Sequence, residues 1–293
     1  MNKTAFGKKI IPYLQLTKPV ITLSVAFSAL TGFLLGQGAF SNHWGALYIG
    51  VLLVAAGSSA LNQVQEARYD HLMDRTRNRP IPSGRLTVSS ALWAVAILVS
   101  AGMIILGIFT NVISSVIALL TLAWYNGIYT PLKRITAYAI IPGAVVGALP
   151  PAIGWTASGG SIFDQTILLV ALFFFIGQIP HFWLILLKHG KDYEKAGFPA
   201  LTRVFSSQQI TAITLLWTVA TAMASLLLPA FGVIRSEWLS ILTGVFALLL
   251  LVSFRNWVGG PKPVNVRRAF ITMNTFYLMM MLILIADALT RQG

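Results

Sequence analysis

Gly45–Arg85 reads GALYIGVLLVAAGSSALNQVQEARYDHLMDRTRNRPIPSGR, and it changes character halfway along. The first half is an apolar run long enough to cross a hydrocarbon layer about 30 Å thick. The second half gathers Glu66, Asp70 and Asp74, three of only eight acidic residues in the 293-residue chain, at intervals of four, in line with Asn62 and among five arginines. A membrane-spanning helix that runs directly into a charged stripe sets both the fold class and the place where chemistry is to be sought.

Outward from this stretch the pattern repeats. Hydrophobic residues make up 56% of the chain and charged ones 10%, with a mean hydropathy of +0.77, so most of it has no stable place in water. The expected fold class is therefore an all-α polytopic membrane protein. Taking roughly 20 apolar residues per crossing gives nine transmembrane helices around a central cavity, near residues 20–37, 45–66, 88–109, 111–130, 136–155, 165–187, 209–230, 237–256 and 268–288. Strands are excluded because the segments lack the alternation of a barrel, and backbone in lipid must satisfy its own hydrogen bonds.

The net charge of +13 is no nucleic-acid footprint, since no segment is polar enough for a soluble basic domain. The absence of cysteine excludes disulfides, thiolate metal sites and a cysteine nucleophile. Of the 21 lysines and arginines, all but Arg235 and Arg291 fall in the N-terminal lead or near the loops after helices 2, 4, 6 and 8. The positive-inside rule then puts the N-terminus in the cytoplasm and the C-terminus outside. Lys3, Lys8, Lys9 and Lys18 ahead of the first apolar run resemble a secretory signal, but the long basic lead and the many later spans favour an uncleaved first helix in a prokaryotic inner membrane.

Glu66, Asp70, Asp74, Asp192 and Glu194 share the same side, in just two loops, each on the tail of a long apolar helix. This suggests a single domain over residues 1–293, with a short lead 1–19, four-helix pseudo-repeats over 20–130 and 136–256, and a ninth helix 268–288.

On a helix, Asn62, Glu66, Asp70 and Asp74 turn about 40° per step and form one stripe. Carboxylates so aligned repel unless a cation sits between them. Oxygen donors without nearby histidine or cysteine suit a hard divalent ion, and magnesium shares its coordination readily with a substrate phosphate. The rival reading is a solvated network in which the neighbouring arginines neutralise the acids.

The second loop, PHFWLILLKHGKDYEKAGFPAL from Pro180 to Leu201, sets His181, Lys188 and Asp192 on one face if the helix continues past Gly190, with Lys191, Lys195 and Arg203 nearby. Acids with surplus basic groups in two loops make a site for a metal bound to a polyanion. Joined to a cavity among apolar helices, such a site implies a substrate with an anionic head and a long apolar tail, as in an isoprenyl diphosphate. Tyr129, Trp155, Phe182 and Trp183 are candidate aromatic walls for an allylic cation near the two loops.

These motifs resemble those of the UbiA superfamily of intramembrane prenyltransferases, from about Leu16 to the last helix, and most closely the branch whose acceptor is protoheme IX. Asn62, Asp70, Met73, Arg75, Thr76, Arg79 and Pro80 match the first motif; YTPLKR at Tyr129–Arg134, GALPPAIGW at Gly147–Trp155, HFW and KDYEKAGFP are similar to the others. The resemblance implies magnesium-dependent binding of farnesyl diphosphate and transfer of the farnesyl group to a vinyl of heme B, giving heme O, with membrane lipid as surroundings and a heme A synthase or terminal oxidase assembly downstream. It implies that Asn62, Glu66, Asp70 and Asp192 carry metal and diphosphate, with Asp70, Asp192 and Lys188 catalytic, and that Arg68, Arg75, Arg79, Lys133 and Lys191 hold the leaving group.

Three positions depart from the family pattern: Glu66 replaces an aspartate, Ala196 stands where much of the superfamily has a second aspartate after Asp192, and ALTRVF follows AGFP. His181, beside Pro180, reads either as a heme-docking residue or as a neutral histidine bonded between helices. Another acceptor such as a quinone precursor, a non-catalytic heme-binding factor and a transporter stay open; the last would be expected to carry its charges at the midplane.

Overall fold

The computed structural model describes residues 3–41, 43–199, 204–257 and 265–291, without the side chains of 3–9 and 256. Ala200–Arg203, and with them the basic contribution expected of Arg203, lie outside the described residues. Among the described residues the fold is all-helical, and nine helices are long and apolar enough to span a bilayer.

A short leading helix, α1 (Lys3–Thr17), precedes α2 (Pro19–Gln37), α3 (Trp44–Asp70), α4 (Val88–Phe109) and α5 (Val112–Ala123). The α5 path continues through a π-helical turn, Trp124–Tyr129, into the short α6 (Thr130–Leu132). Then come α7 (Ile140–Ala157), α8 (Gln165–Lys195), α9 (Ser207–Ala230), α10 (Glu237–Phe254) and α11 (Val266–Thr290). The leading helix α1 goes beyond the sequence expectation, which placed no element before residue 20.

Side-chain caps fix several starts. Thr87, Asn111 and Asp164 each accept a backbone N–H from the first turn of α4, α5 and α8. Ser206 and Gln209 form a reciprocal capping box at α9. At the end of α2, Gly38 takes the left-handed conformation at φ 74° and returns its N–H to Leu34 O.

Close approach between α2 and α7 organises the centre. A Cβ on Gly32 would fall 1.9 Å from Pro151 O, and one on Gly154 would fall 1.7 Å from Ala29 O. Only glycine lets these backbones touch, as small residues do generally where membrane helices pack. Phe33, Leu34, Leu47, Val51 and Ile153 fill the space behind this crossing, while Phe173, Met273, Met280 and Leu284 form a second core among α8, α10 and α11.

The two helices that bear the charged stretches both overrun their apolar segments. The α3 helix continues to Asp70, and α8 continues without a break through Gly190 to Lys195. Both charged tails therefore lie at one end of the bundle, here termed the polar end, as does the α1–α2 junction.

The opposite end is pinned separately. Asp287, 1% exposed, accepts the backbone N–H groups of Arg235 and Ser236 at 2.9 and 2.8 Å and pairs with Arg291 at 2.7 Å. Arg291 also donates to Val233 O, so one buried acid ties the α9–α10 connection to α11. Trp155 belongs to this opposite end: its Nε1 donates to Ser161 O, 2.9 Å away. The expectation that it stood near the charged loops is thereby corrected, because its place on α7 (Ile140–Ala157) carries it about 22 Å from the start of that helix at the polar end.

Candidate active site

Asn62, Glu66 and Asp70 form the expected stripe, and all three are buried, at 1%, 5% and 0% exposure. Asp74 leaves it. The helix ends at Asp70, the chain turns with Thr76 Oγ1 donating to Asp70 O, and Asp74 becomes solvent-exposed. Carboxylates at a helix C-terminus oppose the macrodipole, so this cluster holds only with cations against it.

Each member has one. Lys133, just after α6, pairs with Glu66. Arg79 Nη1 lies 2.6 Å from Asp70 Oδ2. Lys18 Nζ donates to Asn62 Oδ1 at 2.9 Å, while Asn62 Nδ2 donates to Thr130 Oγ1 at 3.2 Å. The remaining oxygen of Asp70, Oδ1, is buried without a hydrogen-bond partner. A bare carboxylate oxygen is costly unless something cationic meets it.

Lys18 was counted by sequence only as part of the basic lead. It caps α2 with φ 50° and ψ 64°, a left-handed conformation unusual for a lysine before proline. Gln63 holds the junction, its amide donating to Gln15 O and Leu16 O at the end of α1. Burial, with Arg79 and Lys133 adding to it against the pull of Glu66 and Asp70, pushes the Lys18 ammonium down to about 7. The one sequence signal was Pro19, which fixes a helix start and hence sets Lys18 at the membrane boundary.

The π-helical turn positions the aromatic wall. Pro131 has no N–H to return to the preceding turn, and the wide turn Trp124–Tyr129 lies just ahead of it. Asn126 within it locks onto α3, accepting from Ser58 Oγ at 2.6 Å and donating to Gln65 Oε1 at 3.1 Å. Tyr125 and Tyr129 then stack with centroids 5.6 Å apart, and Tyr129 meets Lys133 Nζ at 5.3 Å and Phe182 at 5.8 Å. Trp183, one residue on, faces away into the packing of Ile140, Ile179 and Ile210.

The two charged stretches meet. Lys195 Nζ lies 2.7 Å from Asp74 Oδ2, and its ammonium holds the exposed Asp74 carboxyl below its ordinary range. Beneath that bond Met73 packs with Ala196, Phe198, Tyr69 and Tyr193, with the rings of Tyr69 and Phe198 5.2 Å apart. Asp192 is half-buried at this junction, in the field of His189 and Lys195. Arg68, Arg75, Lys188 and Lys191 are exposed, and Arg68 stands off the buried face of α3. Among the described residues no three acidic or histidine side chains converge as a ready-made metal site. His181 is half-buried on α8 with its ring 4.8 Å from Phe270 of α11.

A cleft of about 120 Å³ opens next to the polar cluster, between α2, α3, α5 and α7. Thr22, Ser58, Ser59, Thr121 and Tyr125 are its polar lining, and the rest is aliphatic. The arrangement pairs a polar end rich in both acids and bases with an apolar slot.

The chain is similar to known proteins. The sequence profile of the UbiA prenyltransferase family matches residues 25–283. The protoheme IX farnesyltransferase of Geobacter sulfurreducens is 41% identical over 240 residues, covering 82% of this chain and 88% of that one. The protoheme IX farnesyltransferase of Oleidesulfovibrio alaskensis is 34% identical, covering 92% and 93%. A UbiA homolog from Archaeoglobus fulgidus bound to GPP and Mg2+ superposes with a TM-score of 0.72 at 17% identity, covering 95% of this chain and 98% of its own. A digeranylgeranylglyceryl phosphate synthase superposes with a TM-score of 0.76 at 15% identity, covering 96% and 99%.

Proposed function

The chain belongs to the UbiA prenyltransferase family, and from that premise we propose that it is a heme O synthase, transferring the farnesyl group of farnesyl diphosphate to a vinyl group of protoheme IX. The observation that carries the reading is the buried row Asn62, Glu66 and Asp70, matched by Lys18, Lys133 and Arg79, with Asn62 one helical turn from Ser58 and Ser59 in the lining of an apolar cleft.

The donor set fits a magnesium ion: hard oxygens from Asn62, Glu66 and Asp70, one of them without a partner, beside basic groups that suit phosphate. Asp192 would join them from the second loop. Magnesium, when bound, supplies charge neutralisation to the departing diphosphate. Arg79 and Lys133 hold phosphate oxygens alongside, with Lys188, Lys191, Arg75 and Arg68 drawing the anion in from the rim. Tyr125 and Tyr129 turn their faces toward the allylic cation and keep water from it until the vinyl π electrons of the acceptor capture it at the outer vinyl carbon; water then adds to the cation left on the inner vinyl carbon and gives up a proton. His181 and Phe270 form the docking wall for the heme. With the basic loops inside, the N-terminus is cytoplasmic, the membrane is the inner one, and the product passes to a heme A synthase or terminal oxidase assembly.

Membranes holding the chain, supplied with farnesyl diphosphate and heme B with and without magnesium, test this by mass spectrometry of the heme pool. A heme mass increased by a hydrated farnesyl group, only with magnesium, is expected. Farnesylation of a quinone precursor in its place, or none of either, would overturn it.

A further inference from the structure

The cleft beside the polar cluster has a definite depth. On α3 its lining runs from Ser59 down to Val51, about 12 Å along the axis, and Val51 lies about 16 Å below Asn62. Ala118 of α5 and Ile153 of α7 close the same level. One turn deeper, Ala29, Leu47 and Ser114 are fully buried at 0% exposure each and line none of it. Val51, Ala118 and Ile153 are themselves packed with Leu47 and Phe33, so the slot ends in a wall.

A chain advancing about 1.2 Å per bond, as the extended backbone does, covers roughly 5 Å per four-bond isoprene unit. Three units need about 15 Å, two about 10 Å and four about 20 Å. With the diphosphate carbon at the level of Asn62, three units reach the wall and a fourth has no room.

We infer that Val51, Ala118 and Ile153 act as a ruler that fixes the transferred prenyl chain at three isoprene units. The inference rests on the prenyl transfer proposed above. It assigns specificity to residues that touch the tail and lie far from the reacting carbon. Lengthening Ala118 raises the wall into the third unit, and trimming Val51 lowers it toward Leu47. A misfit of even one methylene is worth about tenfold or more in a tight apolar pocket, and a whole isoprene unit exceeds that.

Geranyl, farnesyl and geranylgeranyl diphosphates are offered in competition, with heme B and magnesium, to wild-type protein and to Ala118→Leu and Val51→Ala. The kcat/KM ratios are read from product masses, and protection of the protein against heat by each diphosphate is read in parallel. Wild type is expected to prefer farnesyl. Ala118→Leu should raise the geranyl-to-farnesyl ratio at least about tenfold, and Val51→Ala should raise the geranylgeranyl-to-farnesyl ratio. Val51→Ala only opens space, so it answers the question even if Ala118→Leu overpacks. Unchanged ratios in the variants, or a wild type indifferent to length in turnover and protection alike, would overturn the ruler. Wild type that is protected by farnesyl diphosphate in preference to the others, yet transfers none of them, would instead sink the transfer reading and leave the ruler standing.

Discussion

Lys195 meets Asp74 at 2.7 Å across 121 residues of sequence, joining the tail of α8 to the turn after α3. Both side chains are more than half exposed, so water and salt screen the pair. Asp74→Asn is expected to keep at least half of wild-type turnover and a melting temperature within a degree or two, measured in detergent by heme product and by thermal unfolding. Loss of turnover would move Asp74 into the proposed metal site, from which its exposed position sets it apart.

Asp70 behaves oppositely. It is fully buried with Arg79 on one oxygen and nothing on the other. Asp70→Asn should abolish turnover and lower stability by about 3 kcal/mol, since Arg79 is left without its acid. The double variant Asp70→Asn, Arg79→Met should recover much of that stability and none of the turnover. Recovery of both in a thermal and kinetic cycle would make Asp70 a structural residue.

Glu66 reaches Lys133 from α3. Shortened by one methylene, Glu66→Asp should keep activity with weaker magnesium affinity, read as a magnesium titration shifted to higher concentration, whereas Glu66→Gln should lose it. Complete loss in Glu66→Asp would show that the extra length serves another purpose here.

His181→Ala removes a ring packed on Phe270. The KM for heme is expected to rise several-fold while that for farnesyl diphosphate stays unchanged. An equal rise in both would assign His181 to helix packing.

At the opposite end, Asp287→Asn should cost about 2 kcal/mol, because a buried carboxylate serving two backbone N–H groups and Arg291 becomes a neutral amide. Substrate KM values should not change, and a shift in the farnesyl KM would contradict the separation of this pin from the site.

The nine spans were legible because hydropathy alone forces them: α4 at Val88–Phe109 matches its expected limits, and others agree within a few residues. The ends of α3 and α8 were harder. Their final turns carry Glu66, Asp70 and Asp192, whose polarity reads as loop, yet both helices run on through them. Asn62, Glu66 and Asp70 were identifiable from spacing, since period four is a local property. Lys133, beside Glu66, was named through the family resemblance, whereas Lys18 and Asn126 depend on contacts made across more than 40 residues, the first beside Asn62 and the second beside Ser58. The π-helical turn that aligns Tyr125 with Tyr129 left only Pro131 as a trace in the sequence.

The backbone contact at Gly32 and Gly154 carries a consequence for the surrounding bilayer. Phospholipid tails are chemically close to a prenyl chain and bathe the protein at far higher concentration. Where α2 and α7 touch without intervening side chains, just beyond the floor of the slot, a fatty acyl chain has no seam to slip through, and the proposed guest meets no lipid competitor from that side.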